Sequence, residues 1–217
     1  MKNNFTITLA VAILTFLMNS CDYSNPKKDA LNEMPKEQLE QHLRTNSYSD
    51  LSNMDFTGLD LTGVDFSNTD LSKTDFSSAT LNKVNLQNAN LYKADLDSAS
   101  LSDANTKGAN LSYIDLRSVP NLRAILQPGI NFTGSRLAIR NFDGLDLREV
   151  KFDKCDLSGT SFKNADLTGA SFVKADLTNV DFTGAKLNQV NFERADLRGA
   201  TLEKSTTEGA NFSKSDR

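Results

Sequence analysis

From position 51 onward a large apolar residue returns at every fifth position. Leu51, Phe56, Leu61, Phe66, Leu71 and Phe76 open the series, which runs to Leu116. After an interruption it resumes as Phe132, Leu137, Phe142 and Leu147 and continues to Phe212, with Thr106 and Thr207 as the departures from Leu or Phe. Two residues before each centre stands a smaller group, as at Ala89, Ala94, Ala99, Val64, Val84 and Val180. A period of five fits neither the 3.6 of an amphipathic helix nor the 2 of a strand, so each unit buries two residues of five and then turns. Asp, Asn, Ser, Thr and Gly fill the remaining positions, and these residues favour tight turns. Burying one centre stabilises by roughly 1.5 to 3 kcal/mol. Ordering each residue costs about 1 to 2 kcal/mol, so no single unit stands alone and stability must come from stacking.

Units such as Ala165-Asp166-Leu167-Thr168-Gly169 and Ala175-Asp176-Leu177-Thr178-Asn179 match the motif A(D/N)LXX. In these units the chain resembles the pentapeptide-repeat proteins over more than three quarters of its length. The resemblance implies an all-β fold, a right-handed quadrilateral parallel β-helix with four units and 20 residues per coil. The residues support a multiple of ten independently, because centres alternate Phe and Leu from Phe132 to Leu197. Four sides would place Phe132, Phe152, Phe172, Phe192 and Phe212 on one side, with Phe142, Phe162 and Phe182 opposite. At roughly 4.8 Å per coil, about eight coils make a rod nearly 40 Å long.

The N-terminal region divides into three expected parts. Residues 1–20 read as a signal peptide, with Lys2 ahead of the apolar run Phe5 to Met18, which is short for a membrane span. Leu17-Met18-Asn19-Ser20-Cys21 resembles a bacterial lipoprotein processing site, with cleavage between Ser20 and Cys21 and lipidation of Cys21. Residues 21–33 form a polar tether. Residues 34–46 predict a short helix, with Pro35 at its start and Met34, Leu39 and Leu43 along an apolar edge, placed to cover the first coil. The repeat then divides into a first block over 47–116, an interruption over 117–131 and a second block over 132–217.

Composition matters only once the repeat is seen. A net charge of −4 could suggest disorder, but the apolar residues are spaced for burial. Asp50 to Leu116 holds ten acidic and four basic residues, and Arg117 to Arg217 holds thirteen and fifteen, so the rod is acidic at one end and near neutral at the other. Asp50, Asp55, Asp60, Asp65, Asp70 and Asp75 each precede a centre, where the carboxylate is expected to hydrogen-bond the turn or else to form an acidic binding surface. Wrapping at 20 residues aligns Lys154-Cys155-Asp156, Lys174-Ala175-Asp176, Arg194-Ala195-Asp196 and Lys214-Ser215-Asp216, with Lys73-Thr74-Asp75 and Lys93-Ala94-Asp95 repeating the device. The two columns are expected to neutralise each other at a solvated corner, with an anion- or partner-binding strip as the other reading. Cys155 falls on an inward position and is expected as a buried thiol without a disulfide partner.

The interruption shifts the phase of the repeat by one residue, which a loop or bulge would absorb. Arg117, Arg123, Arg136, Arg140, Arg148 and Lys151 surround it, and Arg140 occupies an inward position where a lone charge is costly. These six residues are the candidate interaction site, since breaks in a regular scaffold often carry function; the other reading is a neutral insertion tolerated between coils. Catalysis needs convergent groups in a cleft; with one histidine and no phosphate loop, no enzyme activity, cofactor, metal or nucleic-acid ligand is expected. The expected role is a non-enzymatic lipoprotein scaffold, lipid-anchored on the extracytoplasmic side of the cell membrane or outer membrane, with an unknown protein partner. The alternative, implied by the resemblance, is a DNA-mimicking gyrase-binding protein of the quinolone-protection type. That branch also implies a possible homodimer through the C-terminal coil.

Overall fold

The computed structural model describes residues 31, 33–120, 122–137 and 141–217. Each pentapeptide forms a short extended segment and a turn. The turn closes through a bond from the amide three residues after a centre to the centre's carbonyl, as from Leu59 N to Phe56 O at 3.1 Å. The second residue after the centre takes positive φ, the third-position geometry of a type II turn. Gly58 and Gly63 fill it without strain, while Asn53, Lys73 and Lys93 adopt the same geometry with side chains.

Successive segments meet at right-angled corners, so the chain closes into a four-sided right-handed parallel β-helix. Parallel bridges join residues 20 apart, such as Asp50 to Asp70 and Asp156 to Asp176. Side 1 carries the centres Leu51 to Phe212, side 2 Phe56 to Leu197, side 3 Leu61 to Leu202 and side 4 Phe66 to Thr207. Inside, Phe142, Phe162 and Phe182 stack at 4.7 and 5.3 Å along side 3. Phe152, Phe172 and Phe192 stack at 5.3 and 5.4 Å along side 1. The two columns meet edge to face across the axis, as Phe162 does with Phe172 at 5.8 Å, an arrangement worth about 0.5 to 1.5 kcal/mol per pair beyond burial. The sequence-derived placement of these rings on opposite sides agrees with this packing.

At the interruption the register lengthens to 21: Asn110 bridges Asn131 and Asp115 bridges Arg136. The extra residue stays in the wall of the coil. A 3-10 turn at Leu122–Ile125 replaces one extended segment, and Val119, Leu122, Ile125, Leu126 and Ile130 remain buried. Because that turn breaks the ladder, the Asn141 and Asp143 carbonyls take the Arg123 guanidinium instead, Nη1 donating at 2.8 Å and Nη2 at 2.6 Å.

The same device closes the N-terminal end. Helix α1, Lys36–Thr45, buries Leu39 and Leu43 against the first coil. Its outer row replaces a missing coil: Lys36 Nζ donates to Thr57 O at 2.6 Å, and Asp60 N donates to Glu40 Oε1 at 2.8 Å. Arg44 Nη2 donates to Asp60 O at 2.7 Å and Nη1 to Thr62 O. In both places a guanidinium fork bonds the two carbonyls that flank a centre, where regular coils use two backbone amides.

Candidate interaction faces

The acidic residues that precede the centres are built into the backbone. Ser52 N donates to Asp50 Oδ1 at 2.8 Å, Thr57 N to Asp55 Oδ1 at 2.9 Å, and Asp60, Asp65, Asp70 and Asp75 repeat the bond. Hydrogen bonds from Thr57 and Thr62 hold Asp55 and Asp60 below the usual carboxylate range. The turn-bonding role expected of this position is therefore met. On side 4 and side 1 the same position becomes an amide ladder, as where Asn90 Nδ2 donates to Asp70 Oδ1 and Asn110 Nδ2 to Asn90 Oδ1, at 3.0 and 2.8 Å.

Side 2 differs in charge. Its outward column reads Asp55, Asp75, Asp95, Asp115, Arg136, Asp156, Asp176, Asp196 and Asp216, one residue per coil. An open groove of about 460 Å³ lies on it, lined by Asp95, Asp97, Asp115, Arg117 and Ser118. From Asp55 to Asp196 each Asp accepts through Oδ1 from the amide two residues on, as from Thr178 N to Asp176 at 3.0 Å. Beside this column, at the corner between sides 1 and 2, runs the basic one: Lys73, Lys93, Lys154, Lys174, Arg194 and Lys214. The two columns lie side by side at a solvated corner, as expected, without close ion pairs from most of the lysines. Among the described residues no ion pair involves Lys73, Lys93, Lys174 or Lys214, while pairs form between coils elsewhere, at Lys163–Asp181 (3.0 Å) and Lys186–Asp166 (3.1 Å). A buried inward residue, such as Thr74, Cys155 or Ala175, separates Lys from Asp.

The six cations around the interruption do not form one patch, because a coil distributes neighbouring residues over four sides. Arg117 lies on side 2 and forks onto Asp115, Nη2 to Oδ2 at 2.6 Å. Arg148 lies on side 4 and forks onto Asp146 at 2.7 Å. Arg123, on side 3, is the ladder plug described above, and Lys151 is exposed on side 1. Arg136 joins Arg117 on side 2, its side chain 71% exposed and 3.8 Å from Asp115. Two of the six therefore converge, and the Arg117 guanidinium hydrogen bond is the main cause lowering the Asp115 pKa to about 2. Arg140, Ser20 and Cys21 lie outside the described residues.

Sequence reasoning missed an aromatic feature on side 1. Tyr113 is 44% exposed and adopts φ of 59°, a conformation disfavoured for a bulky residue. Its ring covers Gly134 so closely that a Cβ there would lie 2.7 Å from it. Tyr92 meets it edge-on at 5.6 Å, and Lys154 Nζ lies 3.4 Å from its hydroxyl. Wrapping the sequence at 21 rather than 20 residues across the interruption would have placed Gly134 under Tyr113.

Cys155 is buried, and burial pushes its thiol up to about 12. No group of three or more His, Cys, Asp or Glu that could hold a metal ion occurs among the described residues. Among the same residues no helix is long and apolar enough to cross a membrane.

Comparisons with known proteins point one way. A family model described as pentapeptide repeats (8 copies) matches residues 47–77, 69–105 and 85–119, and one described as pentapeptide repeat region matches 135–212. No curated protein matches the sequence. Among solved structures, Rfr23, a pentapeptide repeat protein of the cyanobacterium Cyanothece 51142, is 23% identical, with 51% of this chain and 86% of that chain covered and a TM-score of 0.42. HetL, involved in heterocyst differentiation regulation in Nostoc sp. strain PCC 7120, is 22% identical over 83% of this chain and 92% of that one, with a TM-score of 0.35. QnrB1, a plasmid-mediated fluoroquinolone resistance protein, is 21% identical over 67% and 75%, with a TM-score of 0.48. With both repeat blocks matched by family models and built from the same five-residue unit, the chain belongs to the pentapeptide-repeat family.

Proposed function

We propose that this protein is a lipid-anchored rod on the extracytoplasmic side of the bacterial envelope, where its sides serve as a rigid binding surface for another protein. The observation that carries this reading is the order of segments: an apolar run over 5–18, Ser20-Cys21, a polar tether, and then a rod whose interior is filled by side chains. Lipid on Cys21 would hold the rod at a membrane and leave its long faces free. The Arg117, Asp115 and Arg136 junction, with the groove beside it, is the proposed first contact for a partner.

A second reading is favoured by one feature, the column of Asp from Asp55 to Asp216 on side 2. Regularly spaced carboxylates are what a decoy for a DNA-binding enzyme such as gyrase would present, and such a decoy would act in the cytoplasm. The coil containing Phe212 bears on the dimer that accompanies this reading. Leu202 and Phe212 are only half-buried there, and the Arg217 guanidinium lies 4.1 Å from the Phe212 ring centre. A second rod stacking on this end would cover them.

Intact mass and fractionation of the wild type and of Cys21→Ser distinguish the two readings. Loss of residues 1–20, a gain of lipid mass and recovery in membranes, all abolished by Cys21→Ser, is the expected result. Full-length wild type in the cytoplasm would overturn the envelope reading, and inhibition of gyrase supercoiling would then support the decoy.

A further inference from the structure

We infer that the corner between sides 1 and 2 is a self-complementary edge that binds a second copy of this chain side by side, with the two rods parallel. The edge carries two columns at about the same height in every coil, cations at the corner and Asp two residues later on side 2. Turning a second copy by 180° about an axis parallel to the rod exchanges left and right and keeps height. Each basic rung of one copy then faces the acidic rung of the same coil in the other, so Lys174 of each rod meets Asp176 of its mate. A twofold axis across the rods would instead set Lys against Lys. Coil-spaced charge of this kind therefore fits only the parallel arrangement, and an isologous contact of this type closes as a dimer.

The middle of the edge carries the argument further. Where the acidic column changes sign, at Arg136, the basic column has no cation but Gly134. The exposed Tyr113 ring lies over that glycine. In the second copy Arg136 would therefore meet an aromatic face rather than a lysine, a favourable cation–π contact. Within one chain the lysines of this edge do not supply the pairing: no ion pair involves Lys73, Lys93, Lys174 or Lys214 among the described residues. Two acidic rungs are already held internally, Asp115 by Arg117 and Asp196 by Arg198 at 2.5 Å. Lys73 with Asp75 and Lys174 with Asp176 are rungs that carry the contact.

The test is a charge swap on the full chain, followed by sedimentation equilibrium in density-matched detergent. One variant combines Lys73→Asp with Lys174→Asp, and the other combines Asp75→Lys with Asp176→Lys. Each places like charges at four contacts of the symmetric interface and is expected to weaken the wild-type dimer about 100-fold, counting each exposed pair at its ordinary worth. An equimolar mixture restores opposite charges at all four and is expected to recover the dimer, with high salt weakening both it and the wild type. Recovery in the mixture also shows that both variants fold. The inference is overturned by a monomeric wild type, by a dimer that either variant retains, as an end-to-end contact would, or by a mixture that stays monomeric. A disulfide between Lys174→Cys and Asp176→Cys chains, expected in the mixture, would fix the parallel orientation, and its absence in a mixture that dimerises would overturn that orientation.

Discussion

At Thr160 the repeat places a hydroxyl on an inward position, and its Oγ1 has no hydrogen-bond partner. Other inward polar groups donate to the coil beneath: Thr74 Oγ1 to Leu51 O at 2.9 Å, Cys155 Sγ to Phe132 O at 3.0 Å, and Ser135 Oγ to Leu111 O at 2.6 Å. Replacing Thr160 by Val keeps the shape and removes an unpaired buried hydroxyl, so urea unfolding should show a gain of about 1 kcal/mol. Thr74→Val removes a satisfied donor and leaves the Leu51 carbonyl unpaired, and is expected to lose about 1 kcal/mol. Cys155 gives a pH signature. Its thiol keeps its proton in the folded state up to about 12, against an ordinary value of 9.0. The unfolded chain therefore ionises first, and stability present below pH 9 is lost progressively as pH rises from there towards 12. Reaction with a thiol reagent at pH 8 should follow unfolding, and a fast reaction of the native protein would contradict the burial. The inward placement of Cys155 was legible from its distance to Phe152 and Leu157. Which inward hydroxyls find a carbonyl was not, since that depends on tenths of an ångström between coils.

Among the elements, helix α1 and the 3-10 turn solve one problem with one device. A coil that lacks a neighbour exposes a row of carbonyls, and an Arg fork bonds the pair flanking a centre, Arg44 at Asp60 and Thr62 and Arg123 at Asn141 and Asp143. Arg123→Ala should destabilise by about 1 to 2 kcal/mol in urea unfolding, less than two charged hydrogen bonds in isolation because water can reach these exposed carbonyls. Arg123→Lys should recover only part of the loss, since an ammonium lacks the planar fork. Equal stability of Arg123→Ala and wild type would show that water replaces the guanidinium without cost. The existence of α1 and its buried Leu39 and Leu43 followed from their spacing beside Pro35. The fork did not, because Arg44 and Arg123 look in sequence like any exposed cations, and the carbonyls they serve lie 16 to 20 residues away.

For the whole molecule, the Phe columns act as a spine in the second block. Phe162 touches Phe142, Phe182, Phe152 and Phe172 at 4.7 to 5.9 Å, so Phe162→Ala opens a cavity in both columns at once. A loss of about 3 to 5 kcal/mol is expected by denaturant unfolding. Phe212→Ala should cost less, because Phe212 is only half-buried and stacks on one ring, Phe192, at 5.0 Å. Equal losses would mean that the columns do not share load along the rod. The sequence by itself determined the five-residue unit, its inward and outward positions and a repeat in multiples of ten, while the 20-residue coil that sets the two Phe columns opposite each other came from the family resemblance. The sequence could do so because burial and turn chemistry act within a few residues and repeat without change. Only the stacked coils decided how charge is arranged. Residues as far apart as Asp55 and Asp216 fall on one column, whereas Arg117, Arg123, Arg136, Arg148 and Lys151 scatter over four sides. A closed coil converts sequence separation into position around an axis. One 21-residue coil is enough to reset which residues become neighbours, and it is the ladder of backbone hydrogen bonds that selects where the extra residue goes.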